Sequence, residues 1–202
     1  MRFSEIFLLL FSVKYIFMIL FIFDFDNTLG DAYGPYGEGN IFRTKTLPDV
    51  ARATEIYEKY RRWHDDIVVY PKLLEEYGIT NPHDFFINAG IPNQLYDDVV
   101  PFFIKLREYP EVASVILTTG DEEFQKLKTH ITGVDSLVWE VYITRERNKI
   151  KHIKHLIEKY KPESTIFVDD RINLTESHFD IPITNYEMDR EKEKNGTHII
   201  HS

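Results

Sequence analysis

The sequence predicts an α/β protein whose parallel sheet is covered by helices on both faces. Three observations carry that expectation. Short apolar runs at 19–23, 112–118, 138–143 and 165–169 read as buried strands. Segments with apolar residues at three-to-four spacing, at 97–108, 121–131 and 148–160, alternate with the last three of those runs. Strands separated by helices of about ten or more residues pair in parallel and bind ligands beyond their carboxyl ends. The expected core is therefore Rossmann-like.

Composition narrows the chemistry. The 202 residues carry 24 Lys+Arg against 33 Asp+Glu, a formal net charge of −9, with no basic run. A nucleic-acid backbone or an anionic membrane surface is a poor partner for such a chain, since both require clustered cations. At 43% hydrophobic and 14% aromatic, the chain has enough apolar surface for a core and too much for a disordered polymer. The absence of cysteine removes disulfides, thiolate zinc sites and cysteine nucleophiles, leaving carboxylate, carbonyl and imidazole as metal ligands. A reducing compartment is compatible with this, and the expected location is the cytoplasm.

The amino terminus is ambiguous. Residues 6–23 form an apolar run interrupted by Ser12 and Lys14. If 19–23 is a strand, Phe3 to Met18 remain and make about 24 Å of helix, at about 1.5 Å per residue, against a hydrocarbon core of roughly 30 Å. No small-residue cleavage site follows, so a signal peptide fits poorly. Residues 1–17 read either as an extra segment before a domain starting at Met18 or as a peripheral helix or membrane-associated tail.

Four glycines and a proline from 30 to 39 mark a loop. Helical spacing follows over 46–63 (Leu47, Val50, Ala51, Thr54, Tyr57), 71–77 ends at Gly78, and a segment opened by Asn81 and Pro82 closes at Gly90. Residues 31–95 thus resemble an all-helical subdomain inserted into a core made of 18–30 and 96–202. Its aromatics Tyr57, Tyr60, Trp63, Tyr70, Phe85 and Phe86 read mainly as core. The tail is expected to hold a strand at 181–184 and an apolar patch at Ile199 and Ile200. The mixed charges of 187–194 read as solvated.

Four polar clusters fall at one edge of this sheet: Asp24, Asp26 and Thr28; Thr118, Thr119, Gly120 and Asp121; Lys149; and Asp169 with Asp170. Carboxylates at the ends of buried strands repel one another and lose hydration, which calls for protonation or a cation. An oxygen-only site for Mg²⁺ would draw on Asp24, Asp169 and Asp170, a backbone carbonyl and waters, with Asp26 also a candidate ligand. Lys149 opens a helix and can reach the same place. Thr28, Thr118, Thr119 and Gly120 suit phosphate oxygens.

In type and order these residues resemble the haloacid dehalogenase-like hydrolase superfamily, which uses an Asp-x-Asp-x-Thr loop, a strand-end Thr or Ser, a Lys and an acidic pair. The resemblance spans residues 18–172, and the helical insertion occupies the position of one of that family's caps. It implies a Mg²⁺-dependent phosphatase acting on a small phosphorylated metabolite. By the same resemblance Asp24 is the nucleophile that forms an aspartyl-phosphate, and Asp26 protonates the leaving oxygen and then activates water. Thr118 and Lys149 would bind and neutralise the phosphoryl group. Lys149 is preferred to Lys151 because its phase puts Ile153, Leu156 and Ile157 toward the core. Sequence leaves open which of Asp169 and Asp170 touches the metal, with Asp169 the first choice.

Each cluster alone has a plainer reading: a solvated turn for Asp24 to Thr28, turn chemistry for Thr118 to Gly120, a helix cap for Asp169 and Asp170, a solvated helix residue for Lys149. His64, His83 and His130 are scattered and read as structural or surface residues. Tyr33 and Tyr36 are candidates for the site entrance. A response-regulator receiver uses similar residues in another order. A catalytically idle binding or regulatory module, and phosphotransferase, mutase or dehalogenase chemistry on the same fold, are the alternatives.

Overall fold

The computed structural model describes residues 18–32, 50–63, 69–88, 90–171 and 183–190. Residues 1–17, Tyr33, Tyr36, His64 and the Ile199 and Ile200 patch lie outside them. Five strands, β1 (Ile19–Phe23), β2 (Val112–Thr119), β3 (Glu140–Thr144), β4 (Ser164–Asp169) and β5 (Ile183–Glu187), make one sheet in the order β3-β2-β1-β4-β5. Every pairing is parallel. The described helices are α1 (Val50–Trp63), α2 (Val69–Glu76), α3 (Pro82–Asn88), α4 (Val99–Leu106), α5 (Glu122–Ile131) and α6 (Ile150–Tyr160).

β1 is the central strand, and its unbroken apolar sequence follows from burial on both sides. Phe21 and Phe23 point into one layer with Val99, Phe102, Phe103 and Leu106 of α4. Leu20 and Ile22 point into the other with Ile153 and Leu156 of α6. The Phe23 ring meets Phe102 and Phe103 edge-on at 5.7 and 5.1 Å. Burying each such ring contributes about 1.5–3 kcal/mol before its ordering entropy is counted. The Asp121 carboxylate caps α5 by accepting from the Phe124 N–H at 3.0 Å, with Glu122 and Glu123 in the first turn.

Two strands depart from the bounds the apolar pattern predicts. β3 begins at Glu140 because a short 3₁₀ turn, Val134–Leu137, precedes it and leaves Val138 outside the ladder. β5 is described over Ile183–Glu187, three residues past the expected end at 184, with 181 and 182 outside the described residues, in register Thr165↔Ile183 to Asp169↔Glu187. It is an edge strand with only partial burial, so Asn185 and Glu187 are tolerated and an apolar-run criterion stops too early.

Between β1 and β2 the described elements are helical apart from two single bridges. The chain leaves and re-enters the core through a narrow neck: Gly30 bridges Leu95, the Asp31 N–H donates to the Gln94 carbonyl, and Tyr96 N–H to that of Leu29. Ala53 and Ile56 of α1, Leu73 of α2 and Phe86 of α3 form a second cluster, joined by Ile91 and by Phe124 from α5. The helical segment therefore rests on α5 through aromatic contact. Among the described residues no helix is long and apolar enough to cross a membrane.

Candidate active site

β1 and β4 are adjacent and in register, Phe23 opposite Val168, so Asp24 and Asp169 emerge side by side at the same edge. The Asp24 N–H donates to the Val168 carbonyl at 2.8 Å, fixing that juxtaposition. Asp170 lies beside them, and one carboxylate oxygen from each of Asp24, Asp169 and Asp170 falls within 4.8 Å of the others. Lys149, the residue preceding α6, places its ammonium between the two strand ends, 2.6 Å from Asp24 Oδ1 and 2.8 Å from Asp169 Oδ2. Lys151 instead points outward to Glu146.

The loop after Asp24 is tightly wound. Asn27 takes a left-handed φ of 59°, a conformation asparagine tolerates better than most residues, and its N–H reaches the Gly30 carbonyl at 2.7 Å. Its side-chain amide faces Asp170 at 3.4 Å. The Leu29 and Gly30 N–H groups both turn back to the Phe25 carbonyl. From behind, the buried Arg190 donates through Nε and Nη2 to the Thr28 carbonyl at 3.2 and 2.9 Å, and through Nη1 to Asp98 at 2.9 Å.

The other expected site residues divide. Thr118, next to last in β2, is fully buried, its hydroxyl 3.5 Å from Gln125 Oε1. Thr119 donates its hydroxyl to the Glu146 carbonyl, and the Gly120 N–H is taken by the Thr144 carbonyl at 2.9 Å. Gly120 leaves room for Gln125: a Cβ there would lie 2.5 Å from Gln125 Nε2, which donates to the Thr119 carbonyl, and would push that side chain aside. Thr28 is completely buried, and its hydroxyl has no hydrogen-bond partner among the described residues. Asp26 stands apart from the three converging carboxylates. Both its oxygens are held by Lys128, at 2.8 and 3.0 Å. Lys128, Asn27, Gln125 and Arg190 were not anticipated. Lys128 alone left a trace in the sequence: one turn after Phe124 on the inward face of α5, it puts a charge where the spacing calls for an apolar residue.

Electrostatics follow from burial. Desolvation pushes the Asp24 carboxyl up to about 6; the Lys149 charge opposes the rise, and Asp169 and Asp26 add to it. Burial likewise raises Asp169 against the pull of Lys149, and raises Asp170, with Asp24 contributing. Burial alone would lower Lys149, but the charges of Asp24 and Asp169 hold it above the ordinary lysine range. These shifts fit together because one ammonium faces two carboxylates and can fully answer only one. Arg171, 72% exposed, reaches Asp170 from the solvent side at 3.4 Å.

Oxygens of an octahedral Mg²⁺ at about 2.1 Å from the metal lie roughly 3–4 Å apart, so the Asp24, Asp169 and Asp170 set matches after a small contraction. All three are hard oxygen donors whose excess charge a dication would relieve. Because Asp24 must be ionised to bind, Mg²⁺ affinity is expected to weaken as pH falls through about 6. The Mg²⁺-induced rise in melting temperature should be clear at about pH 7.5 and nearly gone at about pH 5. An equal rise at both values would exclude these carboxylates as ligands.

No protein-family profile and no curated protein sequence matches the chain. Solved structures do. A haloacid dehalogenase-like hydrolase from Burkholderia xenovorans superposes with a TM-score of 0.59 at 22% identity, covering 84% of this chain and 81% of that one. A HAD phosphatase from Thermococcus onnurineus superposes with a TM-score of 0.60 at 17% identity, covering 86% and 87%. The chain has a haloacid dehalogenase-like fold. A HAD family enzyme from Bacteroides thetaiotaomicron, solved in complex with magnesium and inorganic phosphate, shares that fold with a TM-score of 0.50 at 13% identity, covering 84% and 93%. The haloacid dehalogenase-like sheet accounts for the order in which the polar clusters occur: its adjacent central strands deliver Asp24 and Asp169 to one edge.

Proposed function

We propose that the protein is a Mg²⁺-dependent phosphatase that hydrolyses a small phosphorylated metabolite through an aspartyl-phosphate. One observation carries the reading: Asp24, Asp169 and Asp170 converge, and Lys149 bridges the first two. In the first half-reaction an Asp24 oxygen forms a bond to phosphorus, the bond from phosphorus to the substrate oxygen breaks, and Asp26 gives that oxygen its proton. In the second, water attacks phosphorus, Asp26 takes the proton released, and phosphate departs to regenerate Asp24. Lys149 would neutralise charge on the phosphoryl oxygens, with Thr118 positioned to orient them. A Mg²⁺ ion held by Asp24, Asp169 and Asp170, with the Asp26 carboxylate taken by Lys128 rather than by the metal, would supply charge neutralisation for the approach of a phosphate dianion.

The described helices between β1 and β2 are read as a cap, the neck at Gly30 and Leu95 serving as its base. The magnesium and phosphate bound by the Bacteroides thetaiotaomicron enzyme support the choice of metal and substrate class. The reading is tested by phosphate release from p-nitrophenyl phosphate with Mg²⁺ and with EDTA. Turnover that requires Mg²⁺ is expected. No release under either condition, with a panel of phosphorylated metabolites equally inert, would leave a catalytically idle module on this fold.

A further inference from the structure

Helix α5 turns Phe124, Gln125, Lys128 and Thr129 inward. Lys128 is only 1% exposed, yet it occupies a position on that face suited to leucine. An ammonium stripped of water is tolerated only where strong partners replace the water. Its partners include the two oxygens of Asp26, at 2.8 and 3.0 Å, and the faces of Phe25 and Phe124, with ring centroids 4.7 and 5.5 Å away. The Phe124 ring in turn meets Phe86 of α3 at 5.1 Å.

We propose that Lys128 is a positioning residue for Asp26, holding both carboxylate oxygens so that Asp26 faces the reacting oxygen in each half-reaction, and that Phe124 ties this hold to the packing of the helical segment. The inference rests on the role given above to Asp26. A carboxylate gripped at both oxygens cannot turn about its Cβ–Cγ bond, and proton transfer demands that alignment. A purely structural ion pair would leave proton transfer indifferent to Lys128.

Lys128→Met removes the charge and keeps the length, and Lys128→Arg keeps the charge. Each is compared with wild type on an aryl phosphate with a good leaving group and an alkyl phosphate with a poor one. Lys128→Met is expected to lower kcat about 100-fold on the alkyl ester and less than about 10-fold on the aryl ester, with KM within about threefold. Lys128→Arg should recover most of the alkyl loss. Equal losses on both esters, or a change confined to KM, would overturn the proposal. If Lys128→Met does not fold, Lys128→Gln carries the same comparison. If wild type turns over neither ester, the phosphatase reading fails; the positioning claim is then decided by a crystal structure of the folded variant. A displaced Asp26 carboxylate there supports it, and an unmoved one overturns it.

Discussion

Asp24→Asn is expected to abolish phosphate release, by at least about 10⁴-fold, while raising the melting temperature of the metal-free protein. The amide keeps the shape of the carboxylate but is no nucleophile. The stability gain follows from burial, which raises Asp24 from 3.8 to about 6 and makes its ionised form unfavourable in the folded state. A group raised in this way contributes its full stabilisation below the unfolded value and loses it as pH rises through the folded one. The substitution should therefore add about 1–3 kcal/mol at neutral pH, or several degrees for a chain of this length, and almost nothing near pH 4. Thermal melts at the two pH values, with single-turnover phosphate release, check both halves. Retained turnover would remove Asp24 as nucleophile. A melting temperature that falls at neutral pH would show that Asp24 is held by more than Lys149.

Lys149→Met should act in the opposite direction on stability. It leaves Asp24 and Asp169 facing each other without the ammonium that now sits 2.6 and 2.8 Å from them. Removing one partner from a buried charged cluster costs about 3–5 kcal/mol, because the remaining charges cannot recover their water. The loss should be greatest in metal-free protein at neutral pH and smaller near pH 5, where Asp24 takes up a proton. Turnover should fall about 10³-fold, chiefly in kcat, since phosphoryl transfer gains most from fixed positive charge as the reaction proceeds. An unchanged rate would exclude Lys149. The orientation of Lys151 toward Glu146 makes it a poor substitute.

Much of the fold is legible in sequence because the sheet is buried on both faces. The run Ile19–Phe23 marks β1, and Asp121 marks the start of α5. The site is legible to the extent that its residues end strands or start helices: Asp24, Asp169 and Lys149 all do. Lys128 does neither. It sits within α5, and its meaning depends on Asp26, 102 positions away, and on the rings of Phe25 and Phe124 that flank it. β5 runs past its expected end for the converse reason. An edge strand is specified by its partner's free hydrogen bonds, and Tyr186 and Glu187 carry little apolar pattern of their own. The anchoring of Thr28 by Arg190 was equally invisible, since the pair is 162 positions apart.

The central place of β1 also has a consequence for biosynthesis. It emerges from the ribosome before either neighbour, since Ile19 pairs with Val112 on one side and Ser164 on the other. At about 5–20 residues per second, the second neighbour follows on the order of ten seconds later. Until its first neighbour is made a strand of Ile, Leu and Phe has both edges open, and one edge stays open until the second, the condition that invites misassociation between nascent chains. The segment bearing the proposed nucleophile is thus translated before both strands that flank it, making it a natural point of engagement for a chaperone.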